Sequence, residues 1–172
     1  MIKLKLIFYL DKLEFDAKGF LKPYKMIETN LEEFQMFFVH SFEESATREY
    51  LFAEYFDFIQ DFKREVGGNI IVWIDGSFVT NKLNPNDLDL VILIDDAIYT
   101  EKYSHIYQYF NNHSKDKKYI NLDIYTVRIY PTNHPMYKFS QSDKAYWYDW
   151  FTKTRKNYQH KQFQKGFIQL NF

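Results

Sequence analysis

The chain has 172 residues, and its 18 Phe, 15 Tyr and 3 Trp supply ample material for a hydrophobic core, which argues against disorder. With 22 basic and 23 acidic residues the formal net charge is −1, which excludes the strongly basic surface of a protein that grips duplex nucleic acid over a large area but leaves room for a local basic patch. Cysteine is absent, which excludes disulfides, thiolate metal sites and a cysteine nucleophile.

The length predicts a single domain. Within it we expect an N-terminal arm and helices over residues 1–66, a sheet core over 69–129, and a C-terminal helix and strand over 142–172. The apolar stretch 1–10 is interrupted by lysines and lacks a cleavage site, so it predicts a strand or a docking arm rather than a leader peptide. No stretch approaches the roughly 20 apolar residues of a membrane span. We therefore expect a cytoplasmic protein without membrane contact.

Two helices are predicted before the sheet core. Thr29 has the character of an N-cap, with Glu32 placed to close a capping box, and a short helix follows to about Val39. Ser45 can cap a second helix, which the glycine pair 67–68 ends. Apolar residues recur along that second helix at steps of three and four and form one broad face: Tyr50, Leu51, Phe52, Tyr55, Phe58, Ile59 and Phe62.

The strands of the core follow. Residues 69–74 form a continuous β-branched and aromatic run, which is typical of a strand covered on both faces. Gly76-Ser77 breaks that run, residues 78–83 leave room for a helical turn or two, and the turn residues 84–86 lead into a second strand over 87–94.

The remaining elements alternate between helix and strand. A helix over 98–112 and a solvated loop over 111–118 precede a third strand over 119–129. Beyond a proline-containing loop, the pattern predicts a last helix over 142–158 and a short strand over 167–172. Trp147, Trp150 and Phe151 are predicted to share one face of the last helix, which favours a place in the core over a base-stacking platform. The order of elements predicts an α/β (α+β) fold with a mixed sheet flanked by helices.

Asp87 and Asp89 are the residues that indicate chemistry. Side chains two apart on a strand project to the same face, so the two carboxylates point together. Like charges at close range raise each other's pKa, and a hard cation such as Mg²⁺ or Mn²⁺ resolves the repulsion. An Asp-x-Asp pair alone is also typical of a solvated strand face. Its context is more specific, because Gly76 permits close approach of a ligand to the backbone and the Ser77 hydroxyl can hold a phosphate.

Residues 73–91 read Trp-Ile-Asp-Gly-Ser-Phe-Val-Thr-Asn-Lys-Leu-Asn-Pro-Asn-Asp-Leu-Asp-Leu-Val. A Gly-Ser after one strand and Asp-x-Asp on the next resemble the signature of the DNA polymerase β-like nucleotidyltransferase superfamily. The match is closer to a bacterial branch of minimal nucleotidyltransferase-like proteins that reads Trp-Ile-Asp-Gly-Ser-Phe-Val-Thr, then a lysine, then Pro-x-Asp-x-Asp. The resemblance extends more weakly to Arg48, Arg155 and residues 165–168, and so over most of the chain.

The resemblance implies a third carboxylate on a later strand, and Asp123 is the candidate. It implies that Asp87, Asp89 and Asp123 bind metal and act in catalysis, and that Gly76, Ser77 and Lys82 bind the nucleotide. Two residues keep open alternatives. Asp123 can instead be a strand aspartate paired with a lysine or facing solvent, and Lys82 can be a solvated turn residue.

Further residues near the motif have two interpretations each. Asp75 can add to the metal site or cap the short helix that follows it. Arg155, among Lys153, Lys156 and Lys161, can contact phosphate or form a solvated face. The segment Thr80-Asn81 departs from the family pattern, because many small members have Arg-Gly there and one more residue before Asp-x-Asp.

The resemblance therefore implies a Mg²⁺-dependent nucleotidyltransferase that moves a nucleoside monophosphate from a triphosphate to a hydroxyl on protein, RNA or a small molecule. The alternative is a weakly active or inactive binding protein that acts with a protein partner, as in a toxin–antitoxin or phage-defence pair. A metal-dependent nuclease is a third hypothesis, although the Gly-Ser element has no evident role in it.

Overall fold

A computed structural model describes residues 13–110 and 118–172. The predicted N-terminal arm and most of the predicted loop over 111–118 lie outside these residues. The described chain forms a five-stranded mixed sheet with helices packed against it, which confirms the predicted α/β (α+β) fold class. No helix in this part of the chain combines the length and the apolar character that crossing a bilayer requires.

The elements have the following bounds. The strands are β1 (Glu14–Phe15), β2 (Leu21–Lys22), β3 (Met26–Glu28), β4 (Ile71–Asp75), β5 (Leu88–Asp95), β6 (Leu122–Ile129) and β7 (Phe167–Asn171). The α-helices are α1 (Leu31–Gln35), α2 (Arg48–Val66), α3 (Asp96–Glu101), α4 (Tyr103–Phe110) and α5 (Tyr137–Phe151). A π-helical segment, Met36–His40, continues α1, and a 3-10 turn, Ser77–Val79, follows β4.

The sheet has the strand order β3-β7-β4-β5-β6, while β1 and β2 pair in a separate antiparallel hairpin. Strand β7 runs parallel to β3 and antiparallel to β4, and β5 runs antiparallel to β4 and parallel to β6. Two of the five strands therefore come from outside residues 69–129, one from each side of that range in the sequence.

Alternation along the strands divides the core into two layers. Val72 and Ile74 face a large cluster that includes the aromatic face of α2, whereas Trp73 faces a smaller cluster with Phe151 of α5. Residues two apart on a strand share a face, so the acidic residues at the ends of β4 and β5 point to the side of the sheet that α5 covers. The structure thus places the candidate carboxylates opposite the larger core.

The start of α1 differs from the prediction. The N-cap is Asn30, whose side chain accepts a 2.9 Å hydrogen bond from the backbone N–H of Glu33. Thr29 donates its hydroxyl proton to the carboxylate of Glu33, so the predicted capping box with Glu32 is wrong by one residue. Ser45 does support the start of α2, because its hydroxyl accepts from the N–H groups of Thr47 and Arg48.

Two other helix predictions were wrong in their bounds. The helix expected over 98–112 is split into α3 and α4, which meet at Lys102. The last helix begins at Tyr137 rather than at residue 142, and it ends at Phe151 rather than near residue 158. Its buried or half-buried positions are spaced three or four apart, so they form a stripe that packs on the sheet: Tyr137, Ser140, Lys144, Trp147 and Phe151.

Candidate functional site

The strand register brings three carboxylates into one row. Asp75 at the end of β4 is the Cα partner of Asp89 in β5, and Asp89 is the Cα partner of Asp123 in β6. All three share the face that α5 covers. Asp87 lies directly before β5, two residues from Asp89. The structure therefore groups the predicted residues Asp87, Asp89 and Asp123, which are separated by up to 36 residues in the sequence, and adds Asp75 to them.

Mutual repulsion among these acids is visible at Asp89. Burial raises the pKa of Asp89, and the negative charges of Asp87 and Asp123 raise it further, while Lys165 and Arg155 act in the opposite direction. A carboxylate whose neighbours are carboxylates gains from a nearby cation. The site supplies two basic side chains, Lys165 and Arg155, and the remaining acidic charge suits a hard divalent cation.

Asp75 has its own counter-ion. Lys165 donates to both of its carboxylate oxygens, at 2.6 and 2.7 Å, and both side chains are less than 10% exposed. Burial raises the pKa of Asp75 to about 7, although Lys165 opposes that shift. The 3-10 turn begins after Gly76 without any side-chain cap. Asp75 is therefore not the helix cap, and its pairing with Lys165 opposes the alternative that it is a metal ligand.

Gly76 allows the backbone after β4 to pass close to the carboxylate of Asp89. Its φ of +82° lies in the left-handed region, and a Cβ built there would stand 2.0 Å from Oδ2 of Asp89. No side chain fits at that distance, so glycine is required for the strand to turn this close to the carboxylate. The conformation also turns the chain sharply into Ser77.

A cleft of about 590 Å³ opens over Asp75, Asp87 and Asp89, while Asp123 is not among the residues that line it. Its lining includes Ser77, Thr80 and Phe20 together with residues of the loop that follows α5. The residues that line it are Phe20, Asp75, Gly76, Ser77, Thr80, Asp87, Asp89, Trp150, Phe151, Lys153, Thr154, Arg155, Lys156, Gln162 and Lys165. The predicted residues Gly76 and Ser77 and the basic group around Arg155 thus meet in one place.

Lys82 lies differently from these residues. Its side chain is exposed, and its backbone carbonyl accepts a 2.6 Å hydrogen bond from Arg48. The basic groups that line the cleft instead follow α5, at Lys153, Arg155, Lys156 and Lys165. The structure therefore does not bring Lys82 together with Ser77 and the carboxylates.

Arg48 holds the segment between the Gly-Ser turn and the acidic strand. It is completely buried, and its guanidinium donates to the carbonyl oxygens of Phe38, Phe78, Thr80 and Lys82 at 2.6 to 2.8 Å. Burial lowers its pKa to about 10, so it remains charged at neutral pH. Sequence reasoning gave Arg48 no role. The available signal was its position, since a charged residue at the head of the apolar face of α2 needs a buried partner.

The segment Thr80-Asn81 is fixed from the other side as well. The backbone N–H of Asn81 donates to the carbonyl of Gly19 at 2.9 Å. A Cβ at Gly19 would stand 1.9 Å from the Asn81 side chain, so the two chains touch there. Both residues of the segment that departs from the family pattern are therefore committed to internal contacts.

The donor set suits a divalent metal in its chemistry. Asp87, Asp89 and Asp123 offer only carboxylate oxygens, which Mg²⁺ and Mn²⁺ prefer, and the absence of a Cβ at Gly76 leaves room for the carboxylate of Asp89. Within residues 13–110 and 118–172, no three acidic or histidine side chains stand in positions that could together hold a metal ion. These three carboxylates would therefore have to move before they could hold one metal ion together.

Comparisons with known proteins give one match. A family model described as a family of unknown function covers residues 13–171. No curated protein and no solved structure matches the chain.

Proposed function

We propose that this chain, which belongs to that family of unknown function, DUF6932, is a metal-dependent nucleotidyltransferase. The proposal is based on the residues of its cleft. The protein moves a nucleoside monophosphate from a nucleoside triphosphate to a hydroxyl acceptor. The observation that carries the proposal is the register of Asp89 against Asp123, which stand in one row beside Gly76-Ser77. The resemblance of residues 73–91 to the DNA polymerase β-like superfamily supports the same activity, and a cytoplasmic location fits the absence of cysteine.

Each residue has a role in this proposal. Asp87, Asp89 and Asp123 would hold Mg²⁺ or Mn²⁺, which supplies charge neutralisation at the reacting phosphates. The Ser77 hydroxyl binds the terminal phosphate, and Gly76 allows that approach. Arg155, which also lines the cleft, contacts phosphate oxygens.

The transfer itself is a substitution at phosphorus. The acceptor oxygen forms a bond to the α-phosphorus, the bond from that phosphorus to the β-phosphate oxygen breaks, and pyrophosphate leaves. Asp123 orients the acceptor hydroxyl and takes up its proton. Positioning and charge neutralisation account for the acceleration, as in phosphoryl transfer generally. Lys165 neutralises Asp75 and thereby limits the negative charge that the incoming triphosphate meets.

The test measures binding and turnover together. Calorimetry with each of the four NTPs, with and without Mg²⁺, is combined with an assay of pyrophosphate release in the presence of candidate acceptors. We expect at least one NTP to bind in a Mg²⁺-dependent manner, and Asp87→Asn or Asp89→Asn to lower pyrophosphate release on the order of 100-fold or more.

The matched control is Asp95→Asn, which removes an exposed carboxylate from the other end of β5. It should leave both readouts unchanged. Full activity of Asp89→Asn, or metal binding without turnover for every nucleotide and acceptor, would argue against the enzyme.

A second candidate function is a nucleotide-binding protein that acts through a partner, such as the other member of a toxin–antitoxin or phage-defence pair. The observation that favours it concerns Thr80 and Asn81, which stand where the related small enzymes have Arg-Gly. The carbonyl of Thr80 accepts a hydrogen bond from Arg48, and the N–H of Asn81 donates to the carbonyl of Gly19. Mg²⁺-dependent NTP binding without pyrophosphate release, in the presence of RNA, protein and small-molecule hydroxyls, would support this function over the enzyme.

A further inference from the structure

Four aromatic side chains form a continuous row beside the carboxylates, which we call the aromatic ledge: Tyr125, Trp147, Tyr146 and Trp150. Successive ring centroids along it are 4.7, 5.4 and 6.1 Å apart. At one end, Tyr125 lies two residues after Asp123 on the same face of β6. At the other end, Trp150 lines the cleft. The ledge therefore runs directly into the proposed active site.

The rings of the ledge are exposed. Tyr125, Tyr146 and Trp150 are 42%, 57% and 51% exposed, while Trp147 is half-buried and packs against the smaller core cluster. The expectation that Trp150 belongs to the core is thus wrong, whereas Phe151 is buried as predicted. A contiguous exposed row of large aromatic side chains marks an interaction site more often than an idle surface.

Basic side chains continue the ledge. Arg155 and Lys156 are exposed and line the same cleft as Trp150. They belong to a turn-forming loop over residues 152–165, which backbone hydrogen bonds hold together, among them Thr154 N–H to the Phe163 carbonyl at 2.8 Å and Asn157 N–H to the Lys161 carbonyl at 2.9 Å. Their charges are therefore presented from a hydrogen-bonded loop beside exposed aromatic rings.

We propose that the aromatic ledge binds single-stranded nucleic acid, and that a terminal sugar hydroxyl of this strand is the acceptor of the transfer. The inference rests on the proposed function and names its acceptor. Stacking of bases on aromatic rings with phosphates on nearby basic groups is how proteins bind single strands. The row extends over more rings than one base covers, which favours a polynucleotide over a mononucleoside. A net charge of −1 disfavours a long duplex footprint.

The test is equilibrium binding without nucleotide. Fluorescence anisotropy is measured with a labelled single-stranded RNA of about 12 nucleotides, the DNA of the same sequence, and the corresponding duplex. We expect a single strand to bind more tightly than the duplex, and the RNA and DNA arms to identify which sugar is accepted. Trp150→Ala should weaken binding about 5- to 100-fold. Arg155→Gln should reduce the slope of log K against log salt by about 0.7.

The matched control is Phe139→Ala. Phe139 lies on the same helix and is 58% exposed, but its ring is not among those of the ledge. It should change the affinity less than about twofold, and circular dichroism should show that both variants stay folded. Equal losses in Trp150→Ala and Phe139→Ala, or no binding of either single strand, would overturn the inference. A dimer that Trp150→Ala converts to a monomer in sedimentation would overturn it as well, because the ledge would then contact another protein chain.

A transfer assay separates this inference from the proposed function. Asp89→Asn should bind the strand as the wild type does and fail to attach label from an α-labelled NTP. Binding without transfer to any acceptor would contradict the proposed function and retain the ledge as a nucleic-acid site. Transfer to a protein or small molecule without strand binding would contradict the inference alone.

Discussion

Lys165 places one positive charge against Asp75 in the floor of the cleft, where both side chains are almost completely buried. Removing one member of such a pair leaves the other as an uncompensated buried charge, which is more costly than replacing both. At Asp89 the positive charges of Lys165 and Arg155 oppose the effect of burial and of the neighbouring carboxylates Asp87 and Asp123. Charge at this site is therefore sensitive to single substitutions.

The first prediction concerns this pair. Lys165→Met should lower the free energy of unfolding by about 3 to 5 kcal/mol at pH 8, and by less at pH 5. Burial already raises the pKa of Asp75 to about 7, and loss of Lys165 raises it further. In the folded variant Asp75 then keeps a proton that the unfolded chain releases above about pH 4. The free energy of unfolding therefore falls as the pH rises from about 4 to the raised pKa of Asp75. Urea unfolding at several pH values measures the effect.

Two controls accompany this variant. Adding Asp75→Asn to Lys165→Met should restore most of the lost stability. The difference in stability between this double variant and the wild type should then depend little on pH. Lys161→Met, at an exposed position of the same loop, should change little. A loss in Lys165→Met that is equal at pH 5 and pH 8 would show that Asp75 is not the cause.

The second prediction separates steric clash from backbone strain. Gly76→Ala brings a Cβ to 2.0 Å from Oδ2 of Asp89, whereas Gly67→Ala, at a φ of +72°, meets nothing within 4 Å. Both should lose about 1 to 2 kcal/mol of stability from the left-handed backbone, and only Gly76→Ala should also lose nucleotide binding. Urea unfolding and calorimetry with NTP measure the two effects. Equal nucleotide binding by both variants would mean that nucleotide binding does not depend on the present position of the Asp89 carboxylate.

At the scale of elements, Arg48 joins α2 and the π-helical segment to the chain that connects β4 with β5. A lysine keeps the charge but cannot reproduce the planar fork of donors. Arg48→Lys should therefore lower the free energy of unfolding by about 3 kcal/mol. Arg64→Lys, at the exposed end of the same helix, should cost less than about 1 kcal/mol. Urea unfolding compares the two, and similar small losses would mean that solvent satisfies the four carbonyl groups.

The sequence predicted those parts of the site that depend on local order. Gly76-Ser77 ends a strand and Asp87-Leu88-Asp89 starts the next, so alternation alone predicts which carboxylates point together. Asp123 was assigned from a resemblance, and its strand was predicted from local pattern. The register that sets it beside Asp89 comes from sheet pairing, which local sequence does not specify.

Other features depend on contacts between distant residues. Lys165 meets Asp75 across 90 positions, and no periodicity indicates this pairing. Trp150 and Phe151 are adjacent on a helix with aromatic side chains on several faces, so the pattern could not tell which of them faces the sheet. The start of α5 was placed too late because the aromatic stripe begins before Ser142, next to a proline-containing loop.

At the scale of the whole molecule, β7 pairs with both β3 and β4 and so joins the N-terminal strand β3 to the rest of the sheet. Such pairing across the chain predicts one cooperative unit. Urea unfolding followed by far-UV circular dichroism and by tryptophan fluorescence should give the same midpoint, since Trp73 reports on the sheet and Trp147 on α5. Separate midpoints would indicate more than one domain.

The position of β7 also bears on how the protein is made. A ribosome synthesises Asp75, Asp87, Asp89 and Asp123 long before it reaches Lys165 and the strand that follows it. Until Phe167–Asn171 has left the exit tunnel, β3 and β4 lack their common neighbour and Asp75 lacks its counter-ion. The nascent chain therefore carries its acidic residues without an assembled cleft until this strand has emerged.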